Sequence, residues 1–107
     1  MTKKRKVLRA KWDKVIIKPI DGGEKMMGGL YIPDAGENAP EIGTVTHVGP
    51  GVMNVFGHFI TMTCKIGDVV IIPKIGSFKL SHNGEDYYVT REQELLAEEV
   101  EEEYEED

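Results

Sequence analysis

Any chemistry here would have to come from three histidines, one cysteine, two serines and a set of carboxylates, and their spacing assembles none of the familiar machinery. His47, His58 and His82 are scattered, and none stands at metal-ligand spacing from another or from Cys64. Cys64 has no motif around it, and neither Ser77 nor Ser81 sits in a G-x-S-x-G elbow. Gly49-Pro50-Gly51 looks like the start of a phosphate loop, but neither G-x-G-x-x-G nor G-x-x-x-x-G-K-[ST] exists, and the proline removes an N–H that could hold phosphate. The carboxylates crowd toward the C-terminal end, where no shielded pocket could tune them for proton transfer. No catalytic residue, cofactor or metal is therefore expected. Lys3-Lys4-Arg5-Lys6-Val7 has the composition of a nuclear-import or nucleic-acid patch, with only Trp12 nearby as an aromatic platform. It supports one reading of function, a monomeric small β-barrel that binds nucleic acid through its basic N-terminus.

The elements that would carry such residues are short strands. The chain has 107 residues, 40% hydrophobic and 30% charged, which suits one globular domain over 1–100 and leaves 101–107 as an acidic tail expected to be disordered and solvated. No apolar run approaches the roughly 18 residues that span a bilayer, and no secretory signal is expected, so the protein is placed in the cytoplasm, where a single cysteine suits reducing conditions. Helical periodicity is nearly absent before residue 90, and β-rich runs alternate with glycine, as in a small all-β barrel. Strands are expected over Val7–Lys18, closed by Pro19, and over Ile42–Val48. Val52–Thr63 should form a hairpin that breaks at Gly57-His58, and Lys65–Asp68 a turn. Val69–Ile72 is an unbroken apolar run, which predicts a strand buried on both faces. Asn83-Gly84 accepts the positive φ angles of a type I′ turn; it would pair Leu80 with Tyr87 and Phe78 with Val89, all four on one face.

Two segments fit no compact barrel. Asp21–Pro40 holds five glycines and two prolines, and a structureless stretch this long is uncommon in a small domain, so it reads as a functional loop or as disorder. Inside it, Gly28-Gly29-Leu30-Tyr31-Ile32-Pro33 sets three large apolar residues between glycine and proline hinges. They could pair back onto the barrel as a strand, or act as a recognition segment that orders on binding. Burying them is worth roughly 1.5–3 kcal/mol each. Ordering the loop backbone costs on the order of 1–2 kcal/mol per residue, so one loop binds weakly and several on one oligomer bind well. The second segment is the tail. All thirteen Lys and Arg lie at or before Arg91, while ten of the nineteen acids follow it, so the two ends of the chain attract each other.

Taken in order, these segments resemble the GroES-type co-chaperonin (chaperonin-10) family. Val7-Leu8-Arg9-Ala10-Lys11-Trp12-Asp13-Lys14-Val15-Ile16-Ile17-Lys18-Pro19 is similar to its opening strand, and Gly28 to Pro33 to its mobile-loop motif. Ile42–Gly51 resembles the strand and turn that follow, Lys65-Ile66-Gly67-Asp68-Val69-Val70 the K-x-G-D-x-V signature, and Asp86–Val89 through Leu95–Ala97 the last hairpin and closing strand. The resemblance implies a partly open β-barrel, GroES-like, that assembles as a homo-heptamer. Leu30, Tyr31 and Ile32 would anchor the mobile loop (about 21–40) to a GroEL-type chaperonin ring, with Gly28, Gly29 and Pro33 as hinge. The ring would cap the chaperonin in a nucleotide-dependent manner and enclose unfolded client protein, the ATPase belonging to the partner. Val7 and Leu8 of one subunit would meet Leu95, Leu96 and Val100 of the next, and a roof hairpin (about 51–64) would present Val55, Phe56, Gly57, His58 and Phe59. No nucleic acid, membrane, metal or cofactor is implied. Three departures mark a divergent member: an apolar roof hairpin, Glu98 and Glu99 in the closing strand, and Tyr31 within the tripeptide. They raise the expectation of a bacteriophage source.

Overall fold

The computed structural model describes residues 2–20, 25–27, 30–32 and 40–105, with 25–27 and 30–32 described as backbone. Its main sheet is antiparallel and has six strands, in the order β10 (Ala97–Glu99), β7 (Val69–Ile72), β4 (Glu41–Val48), β1 (Lys14–Pro19), β9 (Glu85–Arg91), β8 (Phe78–His82). β10 and β8 are not hydrogen-bonded to each other, so the sheet stays open. Two small ribbons complete the fold: β2 (Lys25–Met27) with β3 (Leu30–Ile32), and β5 (Val52–Met53) with β6 (Phe59–Ile60). The only helical turn among the described residues is a single 3-10 turn, Glu92–Glu94. The all-β class and the partly open arrangement expected from the sequence describe this architecture, and no helix is long and apolar enough to cross a membrane.

Val15, Ile17, Val45, Val70 and Ile72 form the core with Cys64 and Tyr88, and Val48, Met62 and Leu95 pack against it. Two strand expectations need correction. The opening strand starts at Lys14 and not at Val7. The pairings of β1 end at Val15 opposite Val48 of β4 and Lys14 opposite Arg91 of β9, so residues 2–13 have no strand partner among the described residues. A turn also interrupts them, where Lys14 N–H donates to the Lys11 carbonyl at 2.9 Å and Trp12 takes a φ of 50°. The second correction concerns the strand covered on both faces. It is β1, where Val15, Ile16 and Ile17 are all buried; in β7 only Val70 and Ile72 are buried, and Val69 and Ile71 are half-buried.

The Asn83-Gly84 hairpin has the expected register, Leu80 opposite Tyr87 and Phe78 opposite Val89, with φ of 52° and 81° at the two turn residues. Which face it buries differs from what hydrophobicity suggests. Phe78 is 78% exposed, while Tyr88 enters the core from the other face. Tyr88 does so because it sits opposite Ile17 of the central strand. Gly49-Pro50-Gly51 is a turn, as expected. A Cβ on Gly49 would lie 2.2 Å from the Trp12 carbonyl oxygen, and Gly51 donates its N–H to that same oxygen at 2.9 Å. The glycines thus let the end of β4 close onto the turn that starts β1.

Candidate functional site

Leu30, Tyr31 and Ile32 form a strand, but not one of the main sheet. Their backbone pairs antiparallel with Lys25–Met27, in the register Lys25↔Ile32, Met26↔Tyr31 and Met27↔Leu30. That register leaves only Gly28-Gly29 between the two strands. Gly28, Gly29 and Pro33, the expected hinge, and most of the segment 21–40 lie outside the described residues. The tripeptide therefore pairs neither with the barrel nor with nothing; it is half of a separate two-stranded ribbon whose backbone approaches β4. A short ribbon of this kind is marginal by itself and gains stability from a surface to pack on.

The hairpin expected to form the roof is built around Asn54. Its Oδ1 accepts the N–H of Phe56 at 2.9 Å and of His58 at 3.0 Å, and its own N–H donates to the His58 carbonyl at 2.8 Å. Gly57 supplies the positive φ of 81° that the turn needs. The side chains this turn presents are apolar and face outward: Val55 is 93% exposed and Phe56 82%, and Met53, Phe59 and Ile60 are exposed behind them. A run of large apolar side chains held in water by a well-bonded turn is an interaction surface in form.

The expected interface residues divide. Leu8 is half-buried and Leu95 packs on the core, while Val7, Leu96 and Val100 are exposed. The structure does not bring Val7 and Leu8 together with Leu95, Leu96 and Val100 as strand partners within the chain: residues 2–13 form no strand, and β10 uses β7 as its partner. β10 ends the sheet, with no strand beyond it among the described residues.

Three features of the fold could not be read from spacing. Asp13 is buried and accepts hydrogen bonds from Lys14 Nζ at 3.0 Å, Arg91 Nε at 3.1 Å and Gln93 Nε2 at 3.1 Å. The Lys14 ammonium first, then Gln93 and Arg91, hold its carboxyl well below the usual carboxylate range, against the effect of burial. Glu92 Oε1 accepts from Thr63 N–H at 2.7 Å, Thr63 Oγ1 at 2.8 Å and Cys64 N–H at 2.6 Å. Burial pushes the Glu92 carboxyl up, but these donors outweigh it and keep it below its ordinary value. Burial, and then the Glu92 carboxylate, push the Cys64 thiol up to about 12. Cys64, Asp68 and Glu98 also place one donor atom each within 4.8 Å of one another. The thiol keeps its proton in that setting, so the trio presents no thiolate at neutral pH. The K-x-G-D turn has a structural role: Asp68 Oδ2 accepts the Lys65 N–H at 2.8 Å, and the Asp68 carbonyl accepts Val45 N–H at 2.9 Å, tying the turn to β4.

Residues 7–98 match the family model described as Chaperonin 10 Kd subunit. Co-chaperonin GroES of Chlorobium luteolum is 44% identical over 85 residues, which cover 79% of this chain and 90% of that protein. The proteins of the same name from Chloroherpeton thalassium and Oleidesulfovibrio alaskensis are 40% and 42% identical over the same 79% and 90% shares. None of the three supports a bacteriophage source or a nucleic-acid-binding role.

Proposed function

Since the chain belongs to the chaperonin 10 kDa subunit family, and is a co-chaperonin rather than an enzyme, we propose that it works in the cytoplasm as the ring-shaped lid of a GroEL-type chaperonin. Seven copies form the ring. Each offers Leu30, Tyr31 and Ile32 to the chaperonin rim, on a loop hinged at Gly28, Gly29 and Pro33. The partner hydrolyses ATP, and the cage that closes holds an unfolded client. Within the ring, Val7 and Leu8 of one subunit meet Leu95, Leu96 and Val100 of its neighbour, and the hairpin carrying Val55, Phe56, Gly57, His58 and Phe59 closes the roof. The domain is 1–100 and the acidic end, 101–107, extends from it.

The observation that carries this reading is the β2–β3 ribbon, a strand of three large apolar residues that belongs to its own two-stranded sheet. Extended segments of that kind dock by adding backbone and side chains to a groove or a sheet edge. Sevenfold display then turns weak single contacts into tight capture. The test is co-elution of the ring with a GroEL-type chaperonin in ATP or ADP. Ile32→Asp should lower nucleotide-dependent capture by about 100-fold or more, since the loss is repeated in every copy, while the native mass of the free protein stays unchanged. Capture at wild-type level by that variant would remove the ribbon from the mechanism.

A further inference from the structure

Trp12 is the one tryptophan of the chain, and the fold gives it no core to fill. It is 61% exposed and takes a φ of 50°, a conformation that bulky side chains rarely adopt and that glycine or asparagine holds at less cost. Its backbone is fixed by neighbours: Gly51 N–H donates to the Trp12 carbonyl at 2.9 Å, and Lys14 N–H closes the turn on the Lys11 carbonyl. Strain kept at an exposed indole points to use of the indole itself. Around it lies a groove of about 540 Å³, lined by Trp12, Asp13, Lys14, Val52, Met53 and Arg91. Its volume is in the range that holds a small ligand, roughly 300–1,000 Å³. The indole, Val52 and Met53 form its apolar part, and the flexible Met53 thioether, itself exposed, adapts to side chains of differing shape. The remainder is cationic. Asp13 is buried and already accepts from Lys14, Arg91 and Gln93, so it offers no free carboxylate. Arg91 spends only its Nε on Asp13, and its Nη groups donate to no atom of the described residues. Two cations against one carboxylate leave the groove with one net positive charge.

Such a lining suits a ligand that sets one large apolar side chain beside one carboxylate. It suits a nucleic acid poorly, since a phosphate backbone gains little from a single net charge beside aliphatic walls. The groove also stands apart from the segment offered to a chaperonin: Lys14 at the start of β1 lines it, and Pro19, where that segment departs, is at the other end of the strand, about 16 Å away. We propose that the groove binds an extended stretch of non-native polypeptide, with a large apolar side chain against Trp12, Val52 and Met53 and a carboxylate on Arg91 and Lys14. Folded proteins bury most such apolar side chains, and unfolded ones present them. In an extended stretch, residues two apart point to the same side about 7 Å from each other, so an apolar residue and an acid at that spacing reach both parts of the groove. The assignment rests on the lid reading only for the source of the stretch, an unfolded client; the free chain suffices to show the binding.

Because Trp12 is the only tryptophan, its fluorescence in the full-length chain reads the groove directly. Acetyl-Gly-Leu-Ser-Glu-Gly-amide should give a saturable blue shift with a Kd on the order of 1 mM at low salt. The same peptide with Lys in place of Glu, or with Ser in place of Leu, should bind at least about tenfold more weakly. Arg91→Gln, which keeps a donor for Asp13, should weaken binding about fivefold and flatten its salt dependence. Met53→Ser, at an exposed position, should weaken it by a similar factor and keeps the test decisive if the Arg91 variant does not fold. Phe56→Ser, on the same hairpin but outside the groove, should leave it unchanged. In a competition read by anisotropy of the fluorescein-labelled peptide, reduced and carboxymethylated α-lactalbumin should displace the peptide and the native protein, acidic as well, should not. No saturable shift, equal binding of the three peptides, indifference to Met53→Ser, displacement by native α-lactalbumin, or displacement by an equal concentration of a short single-stranded oligonucleotide would each overturn the assignment. Chaperonin capture by the same samples separates the two readings. Capture without peptide binding removes the groove and leaves the lid; peptide binding by a chain that no chaperonin captures leaves the groove and removes the lid.

Discussion

Asp13 joins the beginning of the fold to its end. It stands just before β1, its carboxylate holds Arg91 and Gln93 across nearly the whole length of the chain, and its carbonyl accepts the Glu92 N–H at 2.9 Å. Its side chain is 8% exposed, but those of Lys14 and Arg91 are 41% and 53% exposed, so solvent screens the pairs. Asp13→Asn should therefore cost only about 1–2 kcal/mol at neutral pH. The native carboxyl is depressed below its ordinary value of 3.8, so its contribution is full above that value and is lost as pH falls through the depressed one. Urea midpoints at pH 7, 4 and 2.5 should show the gap between variant and wild type closing toward the acid end; a constant gap would mean the carboxylate charge is not what Asp13 contributes. Cys64 has the opposite sign. Its thiol rises from 9.0 to about 12 on folding, so stability declines as pH climbs above 9, where only the unfolded thiol ionises. At pH 8 the native thiol stays protonated, so iodoacetamide should leave the folded chain unmodified and alkylate it in urea. Comparable rates in both states would contradict the burial of this thiol. Neither residue was legible in the sequence, because two of the three partners of Asp13 are 78 and 80 positions away and those of Cys64 are in other elements.

Elements were legible where the chain itself dictates the answer. Asn83-Gly84 fixes a two-residue turn by backbone freedom, and the register of β8 against β9 follows from it. The strands Glu41–Val48 and Val69–Ile72 and the break in the roof hairpin at Gly57-His58 follow from β-rich runs and punctuation. What could not be read was which face each strand buries, because that depends on strand order. A continuous apolar run marks β7 as doubly covered, yet β7 buries only Val70 and Ile72, whereas Val15, Ile16 and Ile17 of β1 are all buried. The strand Leu30–Ile32 likewise takes its neighbour 25–27 as partner, a pairing that hydrophobicity does not signal. The roof hairpin tests the difference between exposed and structural apolar residues. Phe56 is 82% exposed and its turn is held by Asn54, so Phe56→Ser should change the free energy of unfolding by less than about 0.5 kcal/mol. Asn54→Ala, which orphans two N–H groups of an exposed turn, should cost about 1 kcal/mol. Urea melts of the two variants decide it; a larger loss for Phe56→Ser would show that the ring side packs within the fold.

At the scale of the whole molecule, charge separates from shape. The Cα radius of gyration is 15.9 Å, against about 13 Å for a compact chain of this length, which fits a small sheet from which ribbons and ends project. The net charge of −6 is distributed as a basic body and an acidic end, since all thirteen Lys and Arg stand at or before Arg91. A subunit polarised in this way favours head-to-tail contact, where one copy's basic end meets the next copy's acidic end, and a heterologous contact of that kind closes into a ring when its rotation allows. Each exposed pair in such a contact is worth only about 0–1 kcal/mol. The summed field acts mainly on encounter, and salt screens it beyond about 8–10 Å near physiological ionic strength. Val7, Leu96 and Val100 are exposed in the single chain, and apolar contact through them would not be screened. Removal of Glu101–Asp107 should therefore slow assembly at low salt, by about tenfold in rate, and have little effect near 1 M salt, where the Debye length falls to about 3 Å. Sedimentation velocity of truncated and full-length protein, started from diluted subunits across a salt series, measures this. Two traces that coincide at every ionic strength would reduce the tail to a solvated end, and a defect that persists undiminished at high salt would place the contribution of 101–107 in packing by Tyr104 rather than in charge.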